Sequence, residues 1–317
     1  MITLAEYKNA FPEKWDTNAI IDEFRVNSIL IDSLEYDDTV VATGGSSFPY
    51  VYDRVVTPST ADFRTVGGTY TASDAKAQKQ VAEVKILGGK FTMDRAIAKA
   101  SEDGFYDQAS FQISQKVKAT VATFQNAVIN GDSTQNADEF DGLDKMLTGS
   151  DTEFTSQADL STSALIDANA TAFIDEVDGV IAEMDAEPTL ILGNSKSIAK
   201  FKAVARRLSQ YQETKDDLGR TISKYGNATL VDLGSVPGQN SPIIPIDGTN
   251  GTTDLYFVRL GRDGFHGITL KNNVIDVILP KYDTIPNEEI TGLVEMYSAV
   301  VLKKTKAAAV LRGIKVR

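Results

Sequence analysis

The chain has 317 residues, 42% of them hydrophobic and 24% charged, a mix that excludes a largely disordered polypeptide and allows one large or two ordinary domains. It has no cysteine and a single histidine, His266, which excludes disulfides, thiolate nucleophiles and Cys/His metal centres. The formal charge of −12 keeps a concentrated protein soluble and argues against broad affinity for phosphate backbones.

The first residues, Met1 to Trp15, show neither a basic n-region nor an apolar h-region, so no signal peptide is expected. A short helix is expected over Leu4–Phe11. Asp16 is a candidate N-cap for a second helix from Thr17 to Asp37. Its uneven apolar stripe (Ile20, Ile21, Phe24, Val26, Ile29, Leu30) predicts an arm that lies on another surface instead of closing its own core. Residues 40–96 turn rich in Val, Thr, Tyr and Gly. Ser47–Thr57 and Gln80–Thr92 read as strands, with Gly67-Gly68 and Gly88-Gly89 as turn signals. A two-stranded ribbon is marginal alone in water, which predicts support from elsewhere, most simply a neighbouring subunit.

From Asp103 to Asn130 the period becomes helical. Phe105, Ala109, Ile113, Val117, Val121, Phe124 and Val128 recur every three or four residues. Ser101 or Asp103 would cap the start, and Gly131 fits the C′ position. A polar turn follows, then Phe140-Asp-Gly-Leu143. Residues 145–160 read as a linker. A helix then ends near Asp185, Leu190–Gly193 is a short apolar strand, and Ser195–Leu208 is another helix. Residues 211–228 read as a loop or short hairpin. Further strands are expected at Thr229–Leu233, Ile243–Ile246, Asp254–Leu260, Gly267–Leu270 and Val274–Leu279. Gly292–Lys303 and Ala307–Val316 close the chain. This order predicts a mixed α/β or α+β architecture. No apolar run approaches the ~20 residues of a membrane helix.

The chemical signals are sparse. His266, in Gly264-Phe-His-Gly267, lacks a second His or a Gly-x-Ser-x-Gly elbow and reads as a turn or interface residue. Leu260–Gly267 lacks phosphate-loop spacing and reads as a β-hairpin turn. The acidic group Asp138, Glu139, Asp141 and Asp144 reads as turn and capping residues, with paired carboxylates or a hard-cation site as the alternative. The basic stretch Ala199–Arg207 reads as a solvated helix face. In the ribbon, Arg54, Arg64, Lys76, Lys79, Lys85 and Lys90 have two readings: edge protection, or contact with acidic surfaces of neighbouring copies.

The order of these segments, with Ile129-Asn-Gly-Asp132, Phe140-Asp-Gly-Leu143, Pro188–Asn194 and the closing Glu295–Val316, resembles the Hong Kong 97-type major capsid proteins of tailed bacteriophages. The resemblance implies an α+β capsid fold: an N-terminal arm (1–38), an extended β-hairpin or E-loop (39–92), a P-domain with a long spine helix (93–150), a mixed α/β A-domain (151–279) and a return to the P-domain (280–317). It implies a non-enzymatic subunit without cofactors that forms hexamers and pentamers of an icosahedral head. That head would be assembled in a bacterial cytoplasm around double-stranded DNA, without sequence-specific binding or a membrane. Arg54, Arg64, Lys85 and Lys90 are the expected inter-subunit contacts. Because the arm starts near Met1, a separate scaffolding protein is expected, with a portal and a decoration protein as further partners. The alternatives are an encapsulin-like compartment, another virion component such as a tail or decoration protein, and a carboxylate-dependent hydrolase built on residues 138–144.

Overall fold

The computed structural model describes residues 29–38, 40, 48–57, 59–94, 108–210, 212–215, 221–236, 241–270, 275–278 and 289–317. The expected helix Leu4–Phe11 and the candidate caps Asp16, Ser101 and Asp103 lie outside these residues.

Two sheets organise the described chain. The first contains β1 (Tyr36–Asp37), β2 (Phe48–Thr57), β3 (Lys76–Asp94), β10 (Phe265–Thr269), β11 (Ile275–Ile278) and β12 (Glu289–Leu302). Its order is β1-β10-β12-β3-β2, and β11 also pairs with β12. The second contains β4 (Glu153–Thr155), β5 (Leu190–Gly193), β6 (Gln212–Lys215), β7 (Thr221–Tyr225), β8 (Ala228–Asp232), β9 (Thr252–Val258) and β13 (Ala308–Lys315). Its order is β4-β13-β9-β5-β8-β7-β6.

Five α-helices accompany the sheets among the described residues: α1 (Ile29–Ser33), α2 (Gln108–Asn130), α3 (Leu143–Leu147), α4 (Ser163–Glu183) and α5 (Ser195–Arg207). Helix α2 packs on β3 and β12. Its buried face is the expected stripe: Ile113, Val117, Val121, Phe124 and Val128. Helices α4 and α5 pack together, and both supply the second core through Phe173, Val177, Phe201 and Val204. The centre of the second sheet is buried on both faces, whereas its edge strand β6 is exposed. Leu190 and Leu192 of β5 join the core beneath α2, whereas Ile191 joins the core beneath α4 and α5. This explains the continuous apolar run of β5, since a strand covered on both sides has no polar face. Burying each such side chain contributes roughly 1.5–3 kcal/mol.

Several local expectations are corrected. The described end of the arm, which was expected to lie on another surface, closes on its own chain: Leu30, Ile31 and Leu34 are buried in the first core. Tyr36 and Asp37 are strand, not helix, because they pair in parallel with Gly267 and Ile268. The expected linker 145–160 holds part of α3 and the strand β4, drawn into order by pairing with β13. Ile243 and Ile244 are buried but form no strand, and the flanking contact is a lone bridge between Ser235 and Pro242. Of the two readings of residues 211–228, the short hairpin holds: 212–215 and 221–225 form an antiparallel pair. The turn before β10 does not close a hairpin, because β9 and β10 belong to different sheets. The two closing strands separate: β12 lies in the first sheet and β13 in the second, while β10 and β11, which precede residue 279, lie in the first. The sheets thus divide the chain differently from the sequence-based boundary at 279.

Glycine explains the signature around the end of α2. Gly131 is not in the left-handed region. Instead, a Cβ there would stand 2.3 Å from the Phe140 carbonyl and 2.5 Å from that of Ala127. At Gly142 it would stand 2.5 Å from the Ile129 carbonyl, and the Gly142 amide donates to Gly131 O at 2.8 Å. The two segments cross backbone against backbone, which only glycine permits. Gly88 and Gly89 likewise lie inside β3, not in a turn, and a Cβ on Gly88 would meet the Val294 carbonyl at 2.2 Å. Gly67 does lie in a turn, with φ of 86°.

Candidate assembly surface

Strand β3 has 19 residues and serves two partners. Its second part, Lys85 to Asp94, pairs with β12, and its first part, Lys76 to Val84, pairs with β2. A two-stranded ribbon therefore grows out of the first sheet. Residues 59–75, between its strands, are all exposed. Nine large hydrophobic side chains are exposed among the described residues, and six belong to this ribbon: Val51, Val55, Phe63, Val66, Tyr70 and Val81, with Ile86 just past its base on β3. Phe63 and Val66, at 108% and 105% exposure, have essentially no cover from their own chain. Scattered exposed apolar residues are ordinary, but concentration on one element marks an interaction surface.

The base of the ribbon is anchored within the chain. Arg54 Nε donates to the Lys303 carbonyl at 2.9 Å and Nη2 to the Leu302 carbonyl at 2.5 Å. Tyr50 donates its hydroxyl to Asp37 at 2.9 Å. Lys85 reaches Glu83 at 3.1 Å and the Ala137 carbonyl at 2.9 Å. Arg64 stacks over Tyr70 at 5.2 Å and reaches the Gly68 carbonyl at 3.3 Å near the exposed tip. Lys90 is exposed on β3. The four expected contact residues are thus divided: Arg54 and Lys85 hold the base, and Arg64 and Lys90 face solvent.

A cleft of about 490 Å³ lies beneath the base, lined by Tyr52, Arg54, Glu83, Phe140, Met146 and Val301 among others. Its acids are tied up. Burial alone would raise the Asp141 carboxyl, but hydrogen bonds from Lys145 and Ser133 outweigh it and hold it below the ordinary value. Lys145 bridges Asp141 at 2.8 Å and Asp132 at 2.6 Å, and its bond to Asp132 also draws that carboxyl down. Asp144 binds Arg312 Nη1 at 2.7 Å and accepts the Tyr256 hydroxyl at 2.9 Å. Glu139 accepts from Asn136 at 3.0 Å. Glu139 and Asp141 therefore fasten the turn, Asp144 fastens α3 to the second sheet, and Asp138 is exposed. Among the described residues no group of three His, Cys, Asp or Glu side chains is arranged to hold a metal.

The basic stretch on α5 is partly a fastening too: Arg207 pairs with Asp167, and Lys200 donates to the Ser161 carbonyl at 2.7 Å. His266 lies within β10, not in a turn, and has no exposed surface. Sequence reasoning missed its neighbours Asp37 and Tyr50, which come from distant segments and leave no local signal.

No protein-family model matches the chain, and no curated protein matches it. Solved structures do. The holo-SrpI encapsulin complex from Synechococcus elongatus PCC 7942 is similar with a TM-score of 0.63 and 15% identity, over 100% of this chain and 96% of that one. A capsid chain of a native GTA particle gives 0.58 and 12%, over 97% and 94%. A chain of Mycobacterium phage Ogopogo gives 0.55 and 13%, over 90% and 91%. The chain has the Hong Kong 97-type capsid fold. Within this capsid fold, the ribbon is the element whose apolar residues the subunit leaves uncovered. No described helix of it is long and apolar enough to cross a membrane.

Proposed function

We propose that this chain is the major capsid protein of a tailed bacteriophage, assembling as hexamers and pentamers into an icosahedral head around double-stranded DNA. The observation that carries this reading is the concentration of uncovered apolar side chains on the β2–β3 ribbon. Burying one residue such as Phe63 against a sister copy would gain roughly 2 kcal/mol. Repeated around a closed shell, that gain adds up. The ribbon corresponds to the E-loop, α2 to the spine helix of the P-domain, and the second sheet with α4 and α5 to the A-domain. Arg64 and Lys90 are the side chains that meet acidic sister surfaces, and Arg54 and Lys85 set the angle of the ribbon. A formal charge of −12 suits a container that encloses DNA without gripping its bases. Scaffolding, portal and decoration proteins are its partners.

A second reading, an encapsulin-like shell around protein cargo, is favoured by the similarity to the S. elongatus encapsulin over the whole chain. The contents of purified particles separate the two: nuclease-protected DNA for a phage head, a co-purifying protein for a compartment.

The double variant Phe63→Ser, Val66→Ser tests the assembly reading. Its subunit should unfold within about 0.5 kcal/mol of the parent, as surface changes do, while forming no shells. Shells in normal yield would contradict the role given to the ribbon.

A further inference from the structure

Four segments of the chain meet at one buried joint. Strand β1 supplies Asp37, and β2 supplies Tyr50. Strand β10 supplies His266, and Lys303 follows β12. Tyr50 is central. Its hydroxyl binds Asp37 at 2.9 Å, its ring meets the His266 ring edge-on at 5.9 Å, and the Lys303 ammonium lies 5.3 Å from its centroid. His266 is 0% exposed, and neither ring nitrogen has a hydrogen-bond partner. On the other face of β10, beside Gly267, the buried Tyr36 hydroxyl is also without one. Buried polar atoms of this kind are uncommon in folded proteins.

We propose that His266 is an acid-sensitive latch, whose protonation releases β1 and the base of the ribbon from β10. This inference rests on the joint alone and does not depend on what the shell encloses. The neutral imidazole packs edge-on against the Tyr50 ring, opposite Val301, its partner on β12. An imidazolium would need acceptors for two N–H groups and water for its charge. The groups acting on it are mixed. Burial disfavours the charged form most, and Lys303 and Arg262 add to this, while Asp37 and the Gly264 backbone work the other way. The net result holds the imidazole well below the ordinary histidine range, at about 4. Tyr36 stays a phenol, because burial and the Asp32 charge raise its pKa. A base whose folded pKa is depressed contributes fully above its unfolded value of about 6.5. That contribution is lost as pH falls from there toward the folded value.

Hydrogen exchange followed by mass spectrometry tests the latch, at pH 7.5 and pH 5.0 with correction for intrinsic exchange. The Gly267 amide, which donates to Glu35 O at 2.8 Å, reports the β1–β10 contact. Peptides over residues 48–55 report the ribbon base, and residues 190–193 in the second sheet serve as the internal control. Protection at the joint should fall about 30-fold in the parent at pH 5.0. It should stay level in His266→Phe, with the control level in both. No loss in the parent, or an equal loss in the variant, overturns the proposal. Should His266→Phe fail to fold, carbon-13 NMR of the parent decides, because the chain has one histidine. An imidazole titrating far below 6.5 supports the latch, and an ordinary titration refutes it.

Discussion

Arg312 on β13 donates from Nη1 to Asp144 of α3 at 2.7 Å, across 168 residues of sequence. The same guanidinium reaches Asp254 at 3.1 Å and Thr148 at 3.0 Å, and pairs with Glu153. Tyr256 completes the network by donating to Asp144. One side chain thus ties α3 and its C-cap to its own strand β13 and to β9 and β4.

Replacing Arg312 with Met should cost about 2–3 kcal/mol, because three carboxylates would remain close together without their cation. Urea unfolding of the subunit measures this. A change below about 0.5 kcal/mol would show that the network carries no weight.

Acid should act through the same network. The Gly149 amide and the Arg312 guanidinium hold the Glu153 carboxyl below its ordinary value, against the opposing effect of burial. Its contribution is complete above the ordinary glutamate range of about 4.5 and is lost as pH falls. The urea midpoint should therefore drop between pH 5 and pH 3, and drop less steeply in Glu153→Gln. Parallel curves for parent and variant would remove Glu153 from the account.

The glycines offer an internal contrast. Gly142→Ala should destabilise by roughly 2–3 kcal/mol, because the new Cβ would meet backbone atoms of 127–131 that have no room to move. Gly179→Ala, inside α4 with nothing within 4 Å of a Cβ, should stabilise by about 1 kcal/mol. Thermal melts of the two variants should shift in opposite directions.

Asn194 caps α5 by accepting the Ser197 amide at 2.8 Å. Its amide nitrogen also reaches Thr253 at 2.6 Å and the Ile244 carbonyl at 3.2 Å. Asn194→Ala should cost about 2 kcal/mol or more, above a simple cap loss, since these buried partners would be left unpaired. Equilibrium unfolding checks the size.

What could be read from the chain was local. The stripe Ile113 to Val128, the run Leu190–Gly193 and the ribbon strands each repeat a period or a burial pattern that needs no knowledge of the partner. The partners themselves are non-local. Nothing near Ala308–Lys315 says that it pairs with β9 and β4 instead of following β12 into the first sheet. Ile243 and Ile244 are apolar because they are buried, not because they form a ladder. Gly131 read as a helix cap, since a sequence cannot distinguish a glycine needed for φ from one needed for close approach. The place of His266 is equally non-local: its surroundings arrive from residues 37, 50 and 303. Of the four predicted contact residues, Arg54 and Arg64 lie on the ribbon as read, whereas Lys85 and Lys90 lie where β3 pairs with β12, a partner no local pattern reveals.

The central claim is that the β2–β3 ribbon is buried by sister copies, so that this polypeptide is a shell tile. Negative-stain microscopy of the void-volume fraction from size exclusion, with and without a candidate scaffolding protein, tests it most directly. Closed particles of uniform diameter are expected. A monodisperse monomer under every assembly condition would contradict it.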